Sequence, residues 1–191
     1  MPVRLQGIDA TKRAMKKYAP DLYNEMNKEI KEAMLTVRDH GRAFVPFTTM
    51  YGWEHQKGTW AGRQFNATSI KKGIVYKMGK TAINKKGFRG YYSVVNKTAA
   101  GAIFETAGRK NPAGQPWAGK KKSGNKRFSH SSNPRAGQQF IANLDGVLVG
   151  SDKQKGRLIY RAWAKDNSIV IPKTLKAIEK ATIEFNKRAK P

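Results

Sequence analysis

General acid–base catalysis and metal binding both need several titratable side chains that converge on one point. In this 191-residue chain the long interval from His55 to Leu144 contains a single acidic residue, Glu105. The sequence has no cysteine, and no two of its three histidines, His40, His55 and His130, stand four residues apart. It also lacks a G-x-S-x-G elbow, a Walker A loop and a dinucleotide-binding motif. These features predict no metal centre, no cofactor and no enzyme active site.

The same interval is strongly basic. It holds eighteen lysines and arginines against the one acid, a local charge of +17, whereas the flanks combine twenty bases with twelve acids. Small soluble domains usually stay within a few charges of neutral, so a total of +25 needs its own explanation. The distribution predicts an anionic partner, either nucleic-acid phosphate or an acidic protein surface.

Residues 109–139 concentrate this charge in a segment without an apolar period and with three prolines, which predicts a flexible basic loop. Its aromatic residues Trp117 and Phe128 could stack on bases while the cations contact phosphate. A solvated insertion that only keeps the chain soluble is the alternative interpretation. The candidate contact residues are Arg109, Lys110, Lys120, Lys121, Lys122, Lys126, Arg127 and Arg135.

The isolated Glu105 has two possible partners. On a helical turn it precedes Arg109 by four residues, the favourable order for an exposed ion pair. Alternatively, its carboxylate faces a groove of another subunit or lies against the segment "GRLIYRAW", partly desolvated and paired with Arg157 or Arg161.

The aromatic residues of "GRLIYRAW" also allow two interpretations. Tyr160 and Trp163 are of the types that interfaces favour. The apolar Leu158, Ile159 and Trp163 are equally typical of a core.

The elements that must position these residues follow from apolar spacing. The segment "ATKRAMKKYA" predicts a helix that stops or restarts at Pro20. A long amphipathic helix is predicted from about residue 20 to 44, and a closing helix from about Pro172 to Ala189. Between them, β-type runs at 68–78 and 91–96 predict an antiparallel pair, and residues 98–107 favour a helical turn.

These elements predict an α+β fold with long N-terminal and C-terminal amphipathic helices packed on a small antiparallel sheet, with long basic loops. We expect one domain over residues 1–191 and an extended loop or arm over residues 46–67. The sequence lacks a signal-peptide pattern and a bilayer-length apolar run, so we expect a soluble protein made in a cytoplasm.

The order of these pieces resembles the tail-completion, or neck, proteins of long-tailed double-stranded DNA bacteriophages. The similarity rests on a long N-terminal helix ending at "AFVP", on "AAGAIFETAGRKNP", and on "GRLIYRAW" followed by a final helix. The pattern is similar to versions in phages of actinobacteria, and the resemblance covers most of the chain.

The resemblance implies a non-enzymatic virion protein that forms a ring, with a hexamer expected, between the head connector and the tail tube. Its implied partners are the connector or stopper, the tail terminator and tail-tube proteins, with possible contact to DNA in the channel and none to a membrane. Phe104 and Glu105 would then lie in a fold-closing turn, and the basic loop would make variable contacts. A tail-terminator ring protein and a sequence-nonspecific nucleic-acid-binding protein are the alternatives.

Overall fold

The computed structural model describes residues 8–47, 53, 64–83, 90–119, 131–151 and 154–189. Across these residues the fold is α+β, with helices at both ends of the chain and a two-stranded antiparallel sheet. The elements in chain order are α1 (Ile8–Tyr18), α2 (Pro20–Ala43), α3 (Ala67–Gly73), β1 (Ile74–Met78), β2 (Tyr92–Asn96), α4 (Ala99–Thr106), α5 (Ala136–Ala142) and α6 (Ile159–Arg188). The predicted fold class is confirmed.

The chain divides into two compact units, 1–37 with 78–93 and 166–191, and 38–77 with 94–165. In the first unit the terminal helices share a core in which Met15, Met26 and Ile30 pack against Ala177 and Ala181. Tyr92 of β2 packs on this cluster, so the terminal helices cover the end of the small sheet. The prediction of one domain stays a prediction.

The second unit has its own core around Phe104 of α4. The Phe65 ring lies 5.6 Å from the Phe104 ring and 5.5 Å from the Trp53 ring, measured between centroids, and Phe140 completes the aromatic group. Ile70 and Ile74 are buried in the same cluster. Aromatic side chains bury large areas, so they hold these short elements together.

The predicted strand over residues 68–78 is wrong in its first half, where α3 forms. The Asn66 side chain accepts the Ser69 N–H at 2.8 Å and so caps the helix, which prevails over the β tendency of Thr68 and Ile70. The strand begins only at Ile74. The helical turn expected at 98–107 is found as α4, where the Thr98 side chain accepts the Gly101 N–H.

The closing helix starts at Ile159, well before the predicted Pro172. Proline lacks a backbone N–H, so its sequence position predicts the first turn of a helix, where that N–H has no partner. Pro172 is instead exposed inside α6, where water can reach the carbonyl that loses its partner. Helix α6 begins this early because the side chain of Glu105, distant in the sequence, accepts the N–H groups at its N-terminus.

The two loop predictions lie partly outside the described residues. Residues 109–119 and 131–135 contain neither helix nor strand, but α5 begins at Ala136, inside the predicted loop. In the predicted 46–67 arm, the described residues other than Ala67 also lack regular structure, and Trp53 is buried in the core. None of the described helices combines the length and the apolar run that crossing a bilayer requires.

Candidate functional site

Two of the segments on which the resemblance rests, "AAGAIFETAGRKNP" and "GRLIYRAW", meet in the second unit. One is the end of α4, and the other is the turn that leads into α6. Helix α4 ends at Thr106, and Gly108 follows with φ of 79°, a left-handed conformation that glycine adopts without strain. Glu105 lies in the last turn of α4 and against the start of α6, where it is only 5% exposed.

The Glu105 carboxylate binds the first backbone N–H groups of α6. Its Oε2 accepts the Leu158 N–H at 2.6 Å and the Ile159 N–H at 3.1 Å, and its Oε1 accepts the Tyr160 N–H at 2.8 Å. The first N–H groups of a helix have no partner within the helix, and they carry its partial positive charge. Glu105 therefore acts as an N-cap supplied from more than fifty residues away.

Gly156 makes room for this carboxylate. A Cβ atom built at Gly156 would overlap Glu105 Oε1 and come within 2.9 Å of the Tyr160 ring. Sequence reasoning missed Gly156, although a glycine directly before a basic and apolar helix start is the signal that could have drawn attention to it. Any larger residue would have to displace the acid from the helix end.

Arg157 makes the reciprocal contact at the end of α4. Its Nη1 donates to the Phe104 carbonyl at 3.2 Å and to the Ala107 carbonyl at 2.6 Å, and its Nε donates to the Gly146 carbonyl at 3.2 Å. The last carbonyls of a helix also lack partners, so a cation is favourable there. We call the group formed by Glu105, Gly156 and Arg157 the Glu105–Arg157 crossing.

Burial shifts the pKa values of both charged groups. Desolvation raises the pKa of the Glu105 carboxyl, and the three backbone N–H donors and the Arg109 charge oppose that rise. Desolvation lowers the pKa of Arg157, and the Glu105 charge opposes it. Each group is costly to bury, and each would leave buried partners unsatisfied if it were removed.

The remaining fold-closing candidates surround the crossing. Phe104 is buried in the core, and Tyr160 lies half-buried beneath the Arg109 guanidinium, 5.1 Å from the ring centroid. Arg161 packs over the Phe44 ring at 4.2 Å, and Trp163 is half-buried. Glu105 thus lies against "GRLIYRAW", as the second interpretation expected, but backbone amides bind its oxygens.

The candidate basic contacts are only partly described. Lys110 and Arg135 are exposed and Arg109 is half-buried, whereas Lys120, Lys121, Lys122, Lys126 and Arg127 lie outside the described residues. Trp117 Nε1 donates to the Ser131 carbonyl at 3.1 Å, which joins the two sides of the loop. Gly114 and Gly137 approach so closely that a Cβ atom on Gly114 would overlap the Gly137 backbone. The base of this loop is therefore a packed stem.

The charged groups of the site bind backbone groups at the ends of two helices, Glu105 at the start of α6 and Arg157 at the end of α4. Within the part of the chain that the structure describes, no three acidic or histidine side chains come together as metal ligands would. Comparison of the chain with protein-family models, with curated proteins and with solved structures finds no match.

Proposed function

We propose that this chain is a structural neck component of a long-tailed double-stranded DNA bacteriophage. In this proposal it is a tail-completion protein whose copies form a ring, expected to be a hexamer, that joins the head connector to the tail tube. It has no enzymatic activity, and it resides in the virion after assembly in the host cytoplasm. Its partners are the connector or stopper, the tail terminator and the tail-tube protein.

The observation that carries the proposal is the Glu105–Arg157 crossing. The segments "AAGAIFETAGRKNP" and "GRLIYRAW", which carry the resemblance, are the two that cap each other's helices. A pattern shared with a family has a physical reason when its residues contact each other and close the fold. The basic loop leaves directly from this closed turn at Arg109, so the crossing would hold the loop at a fixed point of each subunit.

The loop is the part proposed to join neighbours. Its cations would meet an acidic face of another neck protein or the phosphates of channel DNA, because the central interval has no acid of its own besides the buried Glu105. A tail-terminator ring would use the same elements. Its position in the particle distinguishes it from a tail-completion ring.

Single-particle cryo-electron microscopy of intact particles tests the proposal. We expect ring density for this chain at the head-to-tail junction, between connector and tube. Density at the tube end alone would assign the terminator position instead. Absence of the chain from purified virions would overturn the proposal and favour a free nucleic-acid-binding protein.

A loop variant tests the proposed contact within the same particle. Replacing Lys120, Lys121, Lys122, Lys126 and Arg127 with serine should block head-to-tail joining, so that heads and tails accumulate separately. A matched control replaces the same number of exposed cations in the first unit, namely Lys16, Lys17, Lys28, Lys31 and Lys176. Normal virions from the loop variant would contradict the loop's role.

A further inference from the structure

A second basic surface lies in the second unit, away in sequence from the 109–139 loop. Phe47 is 87% exposed, an unusual state for a phenylalanine. The Lys71 ammonium lies 3.4 Å from the centroid of its ring, within the range of a cation–π contact. Because the ring remains so exposed, its other face is open to solvent.

Two more lysines are fixed beside the end of α3. The Lys97 N–H donates to the Gly73 carbonyl at 3.0 Å, which places Lys97 next to Lys72. The junction is tightly packed, since a Cβ atom on Gly73 would overlap the Thr98 side chain. Both lysine side chains are exposed. We call Phe47, Lys71, Lys72 and Lys97 the Phe47 patch.

Among the described residues, no ion pair balances the positive charge of the Phe47 patch. The only acid in the central interval, Glu105, is committed to the start of α6. Exposed charge of one sign next to an open aromatic face is the combination that single-stranded nucleic-acid sites use.

We propose that the Phe47 patch binds single-stranded nucleic acid, with an unpaired base stacked on the open face of Phe47 and the neighbouring phosphates against Lys71, Lys72 and Lys97. An acidic peptide would use the lysines but would leave the exposed ring without a partner. The inference does not require the neck function, because it concerns the isolated subunit in solution. Failure of one proposal therefore leaves the other open.

Fluorescence anisotropy with the full-length protein tests the proposal. The probes are labelled oligothymidylate and oligouridylate of about 20 nucleotides, which separate a DNA from an RNA preference, and a duplex of the same length. F47A should weaken binding to both single strands about tenfold, since stacking on one aromatic ring is worth about 1–3 kcal/mol per base. It should change duplex binding less than twofold.

A second variant tests the lysines. K72E/K97E should weaken binding to all three probes and flatten the dependence of log K on log salt between about 50 and 200 mM. Phe47, Lys72 and Lys97 are exposed, so unchanged circular dichroism should accompany both variants.

The matched control uses another exposed lysine–aromatic pair, which lies in the first unit. Tyr18 is 70% exposed, and the Lys17 ammonium lies 4.8 Å from its ring centroid, but Asp21 follows close in the sequence. Y18A and K17E should each change single-strand affinity less than twofold. Equal losses in the control and the patch variants, wild-type binding by F47A, or a polyglutamate competitor that binds the patch as tightly as the single strands would each overturn the proposal.

Discussion

Two groups of charged residues hold helices in this protein, and they differ in burial: one is buried and the other is mostly exposed. In the Glu105–Arg157 crossing, buried charges bind the backbone ends of two helices. In the first unit, Lys180 binds Glu25 at 2.7 Å and Glu29 at 3.1 Å, where Lys180 and Glu25 are exposed and Glu29 is half-buried. The crossing specifies where α6 begins and how α4 ends, whereas the exposed pairs join side chains that water would satisfy as well.

The largest effect is expected from removing the acid of the crossing. E105A leaves three N–H groups at the start of α6 without their acceptor, and we expect a loss of about 2–3 kcal/mol in the free energy of unfolding. E105Q should also destabilise, because one acceptor oxygen is replaced by an amide donor that faces other donors. Urea unfolding followed by circular dichroism measures both changes.

G156A is the matched variant for this prediction. It keeps the acid but fills the space that the carboxylate occupies, so it should destabilise the protein in the same direction as E105A. The double variant should lose less than the sum of the single losses, because both changes break one contact. Additive losses would argue that Glu105 and Gly156 act separately.

The smallest effect is expected from the exposed ion pairs. K180A removes both contacts to Glu25 and Glu29, yet we expect the Tm to stay within about 2 °C of the wild type. Differential scanning calorimetry at low and physiological salt measures it, with K176A as a control on the same helix. A larger drop for K180A than for E105A would reverse the comparison between the two groups.

The sequence predicted those parts of the fold that depend on local spacing. Leu22, Met26 and Ile30 recur at helical steps, and α2 forms over nearly the predicted range. The start of α6 could not be predicted, because Glu105, which caps it, lies on another helix. The residues next to Ile159 therefore carry no capping signal that the sequence alone would show. For the same reason the partner of Glu105 stayed open between Arg109 and the "GRLIYRAW" segment.

The sequence indicates two charged residues of the candidate site, Glu105 and Arg157, but not the backbone groups that they bind. The sequence suggests Arg157 or Arg161 as a partner for the Glu105 side chain, whereas the Arg157 guanidinium donates to backbone carbonyls at the end of α4 and at Gly146. Side-chain types suggest ion pairs between side chains. Only the folded structure shows which helix ends lack hydrogen-bond partners for their backbone groups. A buried charge of the right sign is favourable at those ends.

The most direct test of the crossing is an NMR titration that follows the Glu105 side-chain carboxyl together with the backbone amides of Leu158, Ile159 and Tyr160. We expect the carboxyl to titrate with a pKa above the ordinary value for glutamate, because burial raises it, and the three amide shifts to follow the same curve. With the folded pKa raised, protonation of this carboxyl adds stability that is fully present below the unfolded pKa, and this pH-dependent part is lost as the pH rises through the folded pKa. Amide shifts of Leu158, Ile159 and Tyr160 that do not follow the titration of the Glu105 carboxyl would contradict the claim that Glu105 caps α6.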